Sequence, residues 1–289
     1  MKERTQRFDP RQHMSRPDFE IFHYKDQTPS DVEVHHHDFY EVYFFVSGKV
    51  EYRVEGRIYH LQPGDILMIN PMELHQLIAR ADEVYERMVL WVDKQYLENL
   101  STDMASLTRC FDNALPNHTN LLRATPAQAM DVAMRLRQLV KESYGQEYGG
   151  ELYARGLLLQ FMVELNRLAL RADREENGEE GREETSPLIS QVLAYIGDHY
   201  NEELSLEKLA RRFYVSKYHL SHEFSRIVGT SVYRYITLKR LLIAKQMLTS
   251  GIAPGVVCVN CGFADYANFY RAFKAQYGIT PRACAGGEN

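Results

Sequence analysis

The chain has 289 residues, 45% of them hydrophobic and 25% charged, the balance of a globular protein with room for two domains and a core in each. No stretch approaches the roughly 18 apolar residues of a membrane span, so a membrane protein of that kind is excluded. The formal charge of −5 is uneven: from Ser186 onward twelve Lys and Arg face seven Asp and Glu, a net of +5, which leaves −10 on the remainder.

The chain opens Met-Lys-Glu-Arg-Thr-Gln-Arg with no apolar segment behind it, so no secretory signal is expected and the compartment reads as cytoplasmic. Residues 31 to 93 read as short β-strands. Phe39–Val46 is a dense apolar run that ends at the Ser47-Gly48 turn, and Val50–Val54 alternates before Glu55-Gly56 turns the chain back. Ile58–Leu61 runs into the turn Gln62-Pro-Gly-Asp65, and Ile66–Ile69 into Asn70-Pro71. Short strands with turn signals this close together predict an antiparallel barrel or sandwich.

From Pro126 the period changes to that of a helix. Ala129, Val132, Ala133, Leu136, Leu139 and Val140 mark one amphipathic helix, and Leu152 through Leu170 a second, apolar over much of its circumference. So broad an apolar surface packs against the barrel or against a second subunit. The segment Arg171–Pro187 is charged, contains glycine, and has no apolar residue after Ala172, which is the composition of a linker, at least partly disordered.

Two helix-turn-helix patterns follow. In the first, Leu206, Leu209, Ala210 and Phe213 form a short helix that ends in a tight turn at Tyr214–Val215. Ser216 then caps a helix with Leu220, Phe224 and Ile227 on its inner face. In the second, Gly262 is the turn glycine, Asp265 the N-cap, and Phe269 and Phe273 the inner face. Between them Ser231–Ser250 predicts one helix of about twenty residues, roughly 30 Å long. That is close to the roughly 34 Å between successive major-groove openings on one face of DNA. A rod of this length, on the basic third of the chain, suits a double-stranded DNA reader with phosphate-facing surfaces. Lys217, Tyr218, Ser221 and His222 face outward on the first recognition helix, and Tyr266, Asn268, Tyr270 and Arg271 on the second. These side chains can hydrogen-bond base edges or phosphates. Ser216 places an exposed helix N-terminus near phosphate. Arg240 and Lys239 have two readings, a reach to the DNA backbone or an ion pair within the domain.

The segment Ser216-Lys-Tyr-His-Leu220, Phe224 and Gly229, with Gly262-Phe263, Phe269, Phe273-Lys274, Gly278 and Thr280-Pro281, resembles the two helix-turn-helix units of the AraC/XylS family of transcription regulators. The likeness spans about a hundred residues. It departs at Cys258, where the family has a small alanine, and at Ala283-Cys284, where it has Tyr-Arg. The N-terminal part is similar to the cupin sensor domain of that family: His35-x-His37-x3-Glu41-x6-Gly48 matches the first cupin motif, and Gly64-Asp65, Pro71 and His75 the second. The resemblance implies an α+β protein, with a cupin-like β-barrel and helical subdomain followed by an all-α domain carrying both helix-turn-helix motifs. The boundaries read as barrel 1–125, helical dimerisation subdomain 126–172, linker 173–187 and DNA-binding domain 188–285.

His35, His37 and Glu41 share parity, so on extended backbone they face one side, with His36 on the other. With His75 they are expected to form an effector pocket. Their types are also those of a metal-binding cupin, but the expectation is a pocket without metal or other cofactor. Cys258 and Cys261, with no second Cys or His pair nearby, read as small buried residues rather than half a zinc site, and four cysteines in all make no disulfide framework. The expected function is a ligand-responsive, sequence-specific transcription regulator, not an enzyme. Its expected partners are double-stranded DNA, a sugar or similar small-molecule effector, a second copy of the chain, and RNA polymerase. The competing reading, a metal-dependent cupin enzyme with an appended helical domain, leaves the rod geometry without a use.

Overall fold

The computed structural model describes residue 6 and residues 13–27, 32–79, 83–112, 119–175 and 183–286. They form two compact units, one built mainly from residues up to Glu184 and one from Thr185 onward.

The first unit is β-rich. Its strands are β1 (Phe19–Asp26), β2 (Tyr40–Ser47), β3 (Val50–Val54), β4 (Arg57–His60), β5 (Ile66–Ile69), β6 (His75–Ala79), β7 (Tyr85–Val92) and the two-residue β8 (Leu121–Leu122). One sheet has the order β1-β7-β2-β5-β8, and β6-β3-β4 run side by side in a second. Helix α1 (Lys94–Leu100) follows β7, and α2 (Pro126–Ser143) and α3 (Gly150–Glu175) form a helical hairpin.

The larger sheet is buried on both faces, which explains the continuous apolar runs of β2 and β7. Tyr40, Val42 and Phe44 of β2 pack with Met88, Leu90 and Val92 of β7 against Val132, Leu136 and Leu139 of α2 and Leu158, Phe161 and Leu165 of α3. The alternate residues Tyr43 and Phe45, with Tyr85, Val89 and Trp91, turn to the interior between the sheets, where Tyr52, Val54 and Tyr59 meet them. The broad apolar surface of α3 is therefore largely used against the sheet. Each large side chain so buried contributes roughly 1.5–3 kcal/mol. Two elements escape the sequence pattern. Strand β1 lies ahead of the region that reads as strands, yet it pairs with β7 from Phe19–Val92 to Asp26–Tyr85. Helix α1 is short, and its start is capped by Asp93, whose carboxylate accepts from the Tyr96 N–H at 2.8 Å.

Helix α3 runs to Glu175, beyond the expected boundary at 172, and residues 176–182 of the expected linker lie outside the described residues. The second unit begins with α4 (Pro187–Asp198), followed by α5 (Leu206–Arg212), α6 (Lys217–Val228), α7 (Val232–Thr249), α8 (Pro254–Asn260), α9 (Tyr266–Tyr277) and α10 (Pro281–Ala285). The predicted rod is one helix, α7, of 18 residues, about 27 Å at about 1.5 Å per residue. Its N-terminal half meets the first motif, with the Tyr235 ring edge-on to Phe224 at 5.6 Å. Its C-terminal half, through Leu241, Ala244 and Leu248, packs against Val257, Phe269 and Phe273 of the second. Cys258, Cys261 and Cys284 are buried in that same core, so both departures from the family pattern are packing substitutions.

Each motif turns through one left-handed residue. In the second it is Gly262, at φ 73°, where an added Cβ would sit 2.6 Å from the Asn201 carbonyl oxygen. In the first it is Tyr214, at φ 55°, with its side chain fully exposed. A non-glycine residue in this conformation costs about 1–2 kcal/mol. The two turns therefore respond in opposite directions. Tyr214→Gly is expected to raise stability by about 0.5–1 kcal/mol, strain relief being partly offset by the freer unfolded chain. Gly262→Ala is expected to lower it by about 2 kcal/mol or more, because backbone must move. Urea denaturation of both variants measures the pair; a stabilised Gly262→Ala protein would contradict the turn geometry.

Candidate functional site

The interior of the first unit gathers three residues that the sequence singles out. Glu41 lies on β2 directly opposite Trp91 of β7. Its carboxylate accepts from the Trp91 indole N–H at 2.8 Å and from the Tyr52 hydroxyl at 3.1 Å. His37 Nε2 lies 3.5 Å from the same carboxylate, and the His37 ring stacks flat on Phe39 with centroids 4.0 Å apart. His75, at the start of β6, brings its ring to 4.8 Å from that of His37. One donor atom from each of His37, Glu41 and His75 lies within 4.8 Å of the others, and all three residues are buried.

His35 joins at the edge. It reaches the cluster through an isolated bridge, with backbone hydrogen bonds to His75 in both directions at 2.9 and 3.0 Å, rather than as part of a strand. Its ring lies 4.1 Å from that of His75, and the residue is half-buried. His35, His37 and Glu41 thus come together without the extended backbone that their shared parity implies: residues 36–39 are bends and irregular chain. His36, expected on the opposite face, is itself buried.

Each of the three cluster histidines anchors Nδ1 on a backbone carbonyl at 2.9 Å: His35 on Glu33, His37 on Phe39 and His75 on Glu73. A carbonyl only accepts, so each Nδ1 carries a proton and Nε2 is directed elsewhere. Burial, reinforced by the neighbouring imidazoles, depresses His35 to about 4 and holds His75 well below the usual histidine range. Burial works to raise the Glu41 carboxyl, yet hydrogen bonding and charge from His37, with the Trp91 donor, hold it below its ordinary value. Burial, then the adjacent Glu41 carboxylate, pushes the Tyr52 hydroxyl far up. At neutral pH the interior presents the Glu41 carboxylate, the neutral imidazoles of His35 and His75, and a Tyr52 that keeps its proton. Sequence reasoning missed Trp91 and Tyr52; the strand register that sets them beside Glu41 is not readable from spacing.

In the second unit both recognition helices begin with a side-chain cap. Ser216 Oγ accepts from the His219 N–H at 3.1 Å, and the Asp265 carboxylate from the Asn268 N–H at 2.7 Å. Leu220, Phe224, Phe269 and Phe273 are buried as expected. Ser216, Lys217, Tyr218 and His222 are exposed on α6, with Ser221 half-buried; Tyr266, Asn268 and Arg271 are exposed on α9, with Tyr270 half-buried. Three residues at the start of α9 form a chain of hydrogen bonds. The Asn268 side-chain amide donates to Asp265, and Arg271 Nη2 donates to the Asn268 amide oxygen at 2.5 Å. Arg240, which has two sequence readings, is held within the domain by hydrogen bonds rather than by an ion pair. Its guanidinium donates to the backbone carbonyls of Tyr200 and Glu202 at 2.8 and 2.7 Å, tying α7 to the loop before α5. No helix among the described residues is long and apolar enough to cross a membrane.

Comparison with known proteins agrees with this layout. The AraC-like ligand binding domain matches residues 16–162, half of the chain, and a helix-turn-helix domain matches residues 209–285. The HTH-type transcriptional activator RhaS of Escherichia fergusonii is 26% identical over 256 residues, 88% of each chain. RhaS of an Enterobacter species is 25% identical over 260 residues, again 88% of each. Among solved structures, the DNA-binding domain of AdpA in complex with a target DNA is 28% identical, covering 36% of this chain and 93% of its own, with a TM-score of 0.34. Both halves of the family's architecture are accounted for, one over each unit: the chain belongs to the AraC family and is a helix-turn-helix transcription regulator with a ligand-binding domain.

Proposed function

We propose that this regulator is a cytoplasmic homodimer that activates transcription in response to a sugar or similar polar metabolite bound inside the barrel at His35, His37, Glu41 and His75. The observation that carries the reading is the convergence of His37, Glu41 and His75 in an interior otherwise lined by aromatic and aliphatic side chains. Convergent polar groups in an apolar concavity are the usual form of a small-molecule site. The effector acts by binding one arrangement of the regulator more tightly than another, which changes promoter occupancy or contact with RNA polymerase. Activation is proposed because the RhaS relatives are named transcriptional activators. An enzymatic role has less support, since those relatives are regulators. A thermal shift of the full chain against a metabolite panel tests the sensor. The hit is expected to change promoter binding as well, and a ligand that stabilises the protein without altering DNA occupancy would argue against sensing.

For DNA, Ser216, Lys217, Tyr218, Ser221 and His222 contact one major groove, and Tyr266, Asn268, Tyr270 and Arg271 the next. The hydrogen-bonded chain Asp265–Asn268–Arg271 supports α9 as a base reader, because it holds a fork-shaped donor in place before binding. Arg271→Ala and Asn268→Ala are each expected to cost about 1–3 kcal/mol at one base position and to relax preference there. Because the two side chains touch, the double variant is expected to lose less than the sum. Lys217→Ala should weaken all sequences evenly and make binding less salt-dependent, as loss of a phosphate contact does. Selection from randomised duplexes at two salt concentrations separates these effects; unchanged preference in Arg271→Ala would reverse the assignment of α9.

For the dimer, α2 and α3 keep apolar side chains exposed on the side away from the sheet: Met130 and Met134 one turn apart on α2, and Leu152, Tyr153 and Leu159 on α3. Gln138, one further turn along α2, donates to the Tyr153 hydroxyl at 3.1 Å, which joins the two rows. Met134→Glu is expected to shift the protein to monomer in light scattering at micromolar concentration while leaving its unfolding temperature nearly unchanged. A dimer that survives this change would place the interface elsewhere.

A further inference from the structure

Both helix-turn-helix turns close on one hydrogen-bond pattern but hold different residues. In the second, the Phe263 N–H donates to the Cys258 carbonyl at 3.1 Å and the Gly262 N–H to the Val259 carbonyl at 3.0 Å. In the first, the Val215 N–H donates to the Ala210 carbonyl at 3.0 Å and the Tyr214 N–H to the Arg211 carbonyl at 3.4 Å. Such helix ends need one left-handed residue, usually glycine and sometimes asparagine. Tyr214 occupies that position at φ 55°, and a bulky side chain in this conformation is an outlier. The residue is 95% exposed, so it packs on almost nothing that could offset the strain. An exposed tyrosine is ordinary on a surface. One that also strains a turn is not, and strained residues of this kind gather where a side chain works on a ligand.

The surroundings of Tyr214 match a phosphate. From Lys208 to His222 the chain holds four Lys and Arg and no Asp or Glu. Arg211 and Arg212 end α5 just ahead of the turn, and Lys217 opens α6 just after it; all three are exposed. In a helix-turn-helix the first helix crosses the DNA backbone while the start of the second meets base edges, so the turn between them lies over the edge of the groove. Tyrosine hydroxyls are regular donors to phosphate oxygens. Building on the placement of α6 in a major groove proposed above, we infer that Tyr214 is a further DNA-binding residue: its hydroxyl donates to a phosphate oxygen at the edge of the α6 groove. The contact seats α6 without reading sequence, and the turn gives up some stability for it.

Binding and folding therefore separate at this residue. Full-length protein is titrated with a duplex that the wild type selects from a random pool, and with an unrelated duplex. Tyr214→Phe keeps the ring and the turn, so its urea midpoint should match the wild type while affinity falls about 10-fold on both duplexes, as loss of a hydrogen bond to a charged group does. Tyr214→Gly should lose as much affinity yet unfold at higher urea. Neither change should alter the salt dependence, because a neutral hydroxyl releases no counterion, whereas Lys217→Ala should flatten it. Ethylation of one phosphate beside the α6 groove should inhibit the wild type and leave Tyr214→Phe unaffected. Wild-type affinity in Tyr214→Phe overturns the hydrogen bond, and a loss on the selected duplex alone overturns the phosphate assignment in favour of base reading. If Tyr214→Phe is silent while Lys217→Ala weakens binding, Tyr214 leaves the interface and α6 keeps its groove. If both are silent, the placement of α6 falls as well.

Discussion

The carboxylate of Glu41 is buried in the middle of a sheet, and an ion so placed must be matched by donors or it costs several kcal/mol. Much of the first unit follows from that requirement. Strand β2 lies between β7 and β5, with Tyr40, Val42 and Phe44 on the helix side and Glu41, Tyr43 and Phe45 on the interior. The register that pairs Glu41 with Trp91 is the one that gives the carboxylate its indole donor. A slip of one residue would drive Glu41 into the apolar layer under α2 and α3 and turn Val42 and Phe44 inward. The helical hairpin and the interior site thus depend on the same register: the apolar face that holds the helices on is the reverse side of the face that carries the chemistry.

The second unit solves a different problem, that of presenting two short helices rigidly. Neither recognition helix is long enough to be stable alone. Each is held by a side-chain cap at its start, a left-handed glycine at its end (Gly229 and Gly278), and a buried inner face, Leu220, Phe224 and Ile227 on α6 and Phe269 and Phe273 on α9. The shared support is α7, whose two halves lie in two different cores. Arg240 strengthens this frame by tying α7 to the carbonyls of Tyr200 and Glu202 after α4. Asn268 and Arg271 of α9 are already hydrogen-bonded to each other, so these two side chains have less freedom to lose on binding.

Side chains of like type play opposite roles across the molecule. His37 and His75 are interior groups whose orientation is set by backbone carbonyls, while His222 is exposed on a recognition helix. Tyr52 keeps its proton against Glu41 in the barrel, whereas Tyr218 is exposed to solvent. Environment, not residue type, separates the buried histidines and tyrosine of the first unit from the exposed ones on α6.

The sequence by itself determined the elements whose signals are local. The capped helices of the second unit, the glycine turn at Gly262, the length of α7 and the buried aromatics at Phe224, Phe269 and Phe273 were all legible, because caps, turn residues and a 3.6-residue period act within a few positions of one another. The grouping of His35, His37 and Glu41 was legible as a spacing, and His75 joined it through the resemblance to the cupin motifs. Only the tertiary structure decided what that spacing means. It added β1, whose pairing partner β7 lies some sixty residues away. It brought His35 in by a bridge rather than a strand, gave Arg240 the Tyr200 and Glu202 carbonyls as partners, and supplied Trp91 and Tyr52 as partners of Glu41. These outcomes depend on contacts between residues far apart in the chain, and such contacts leave no periodic trace in either segment.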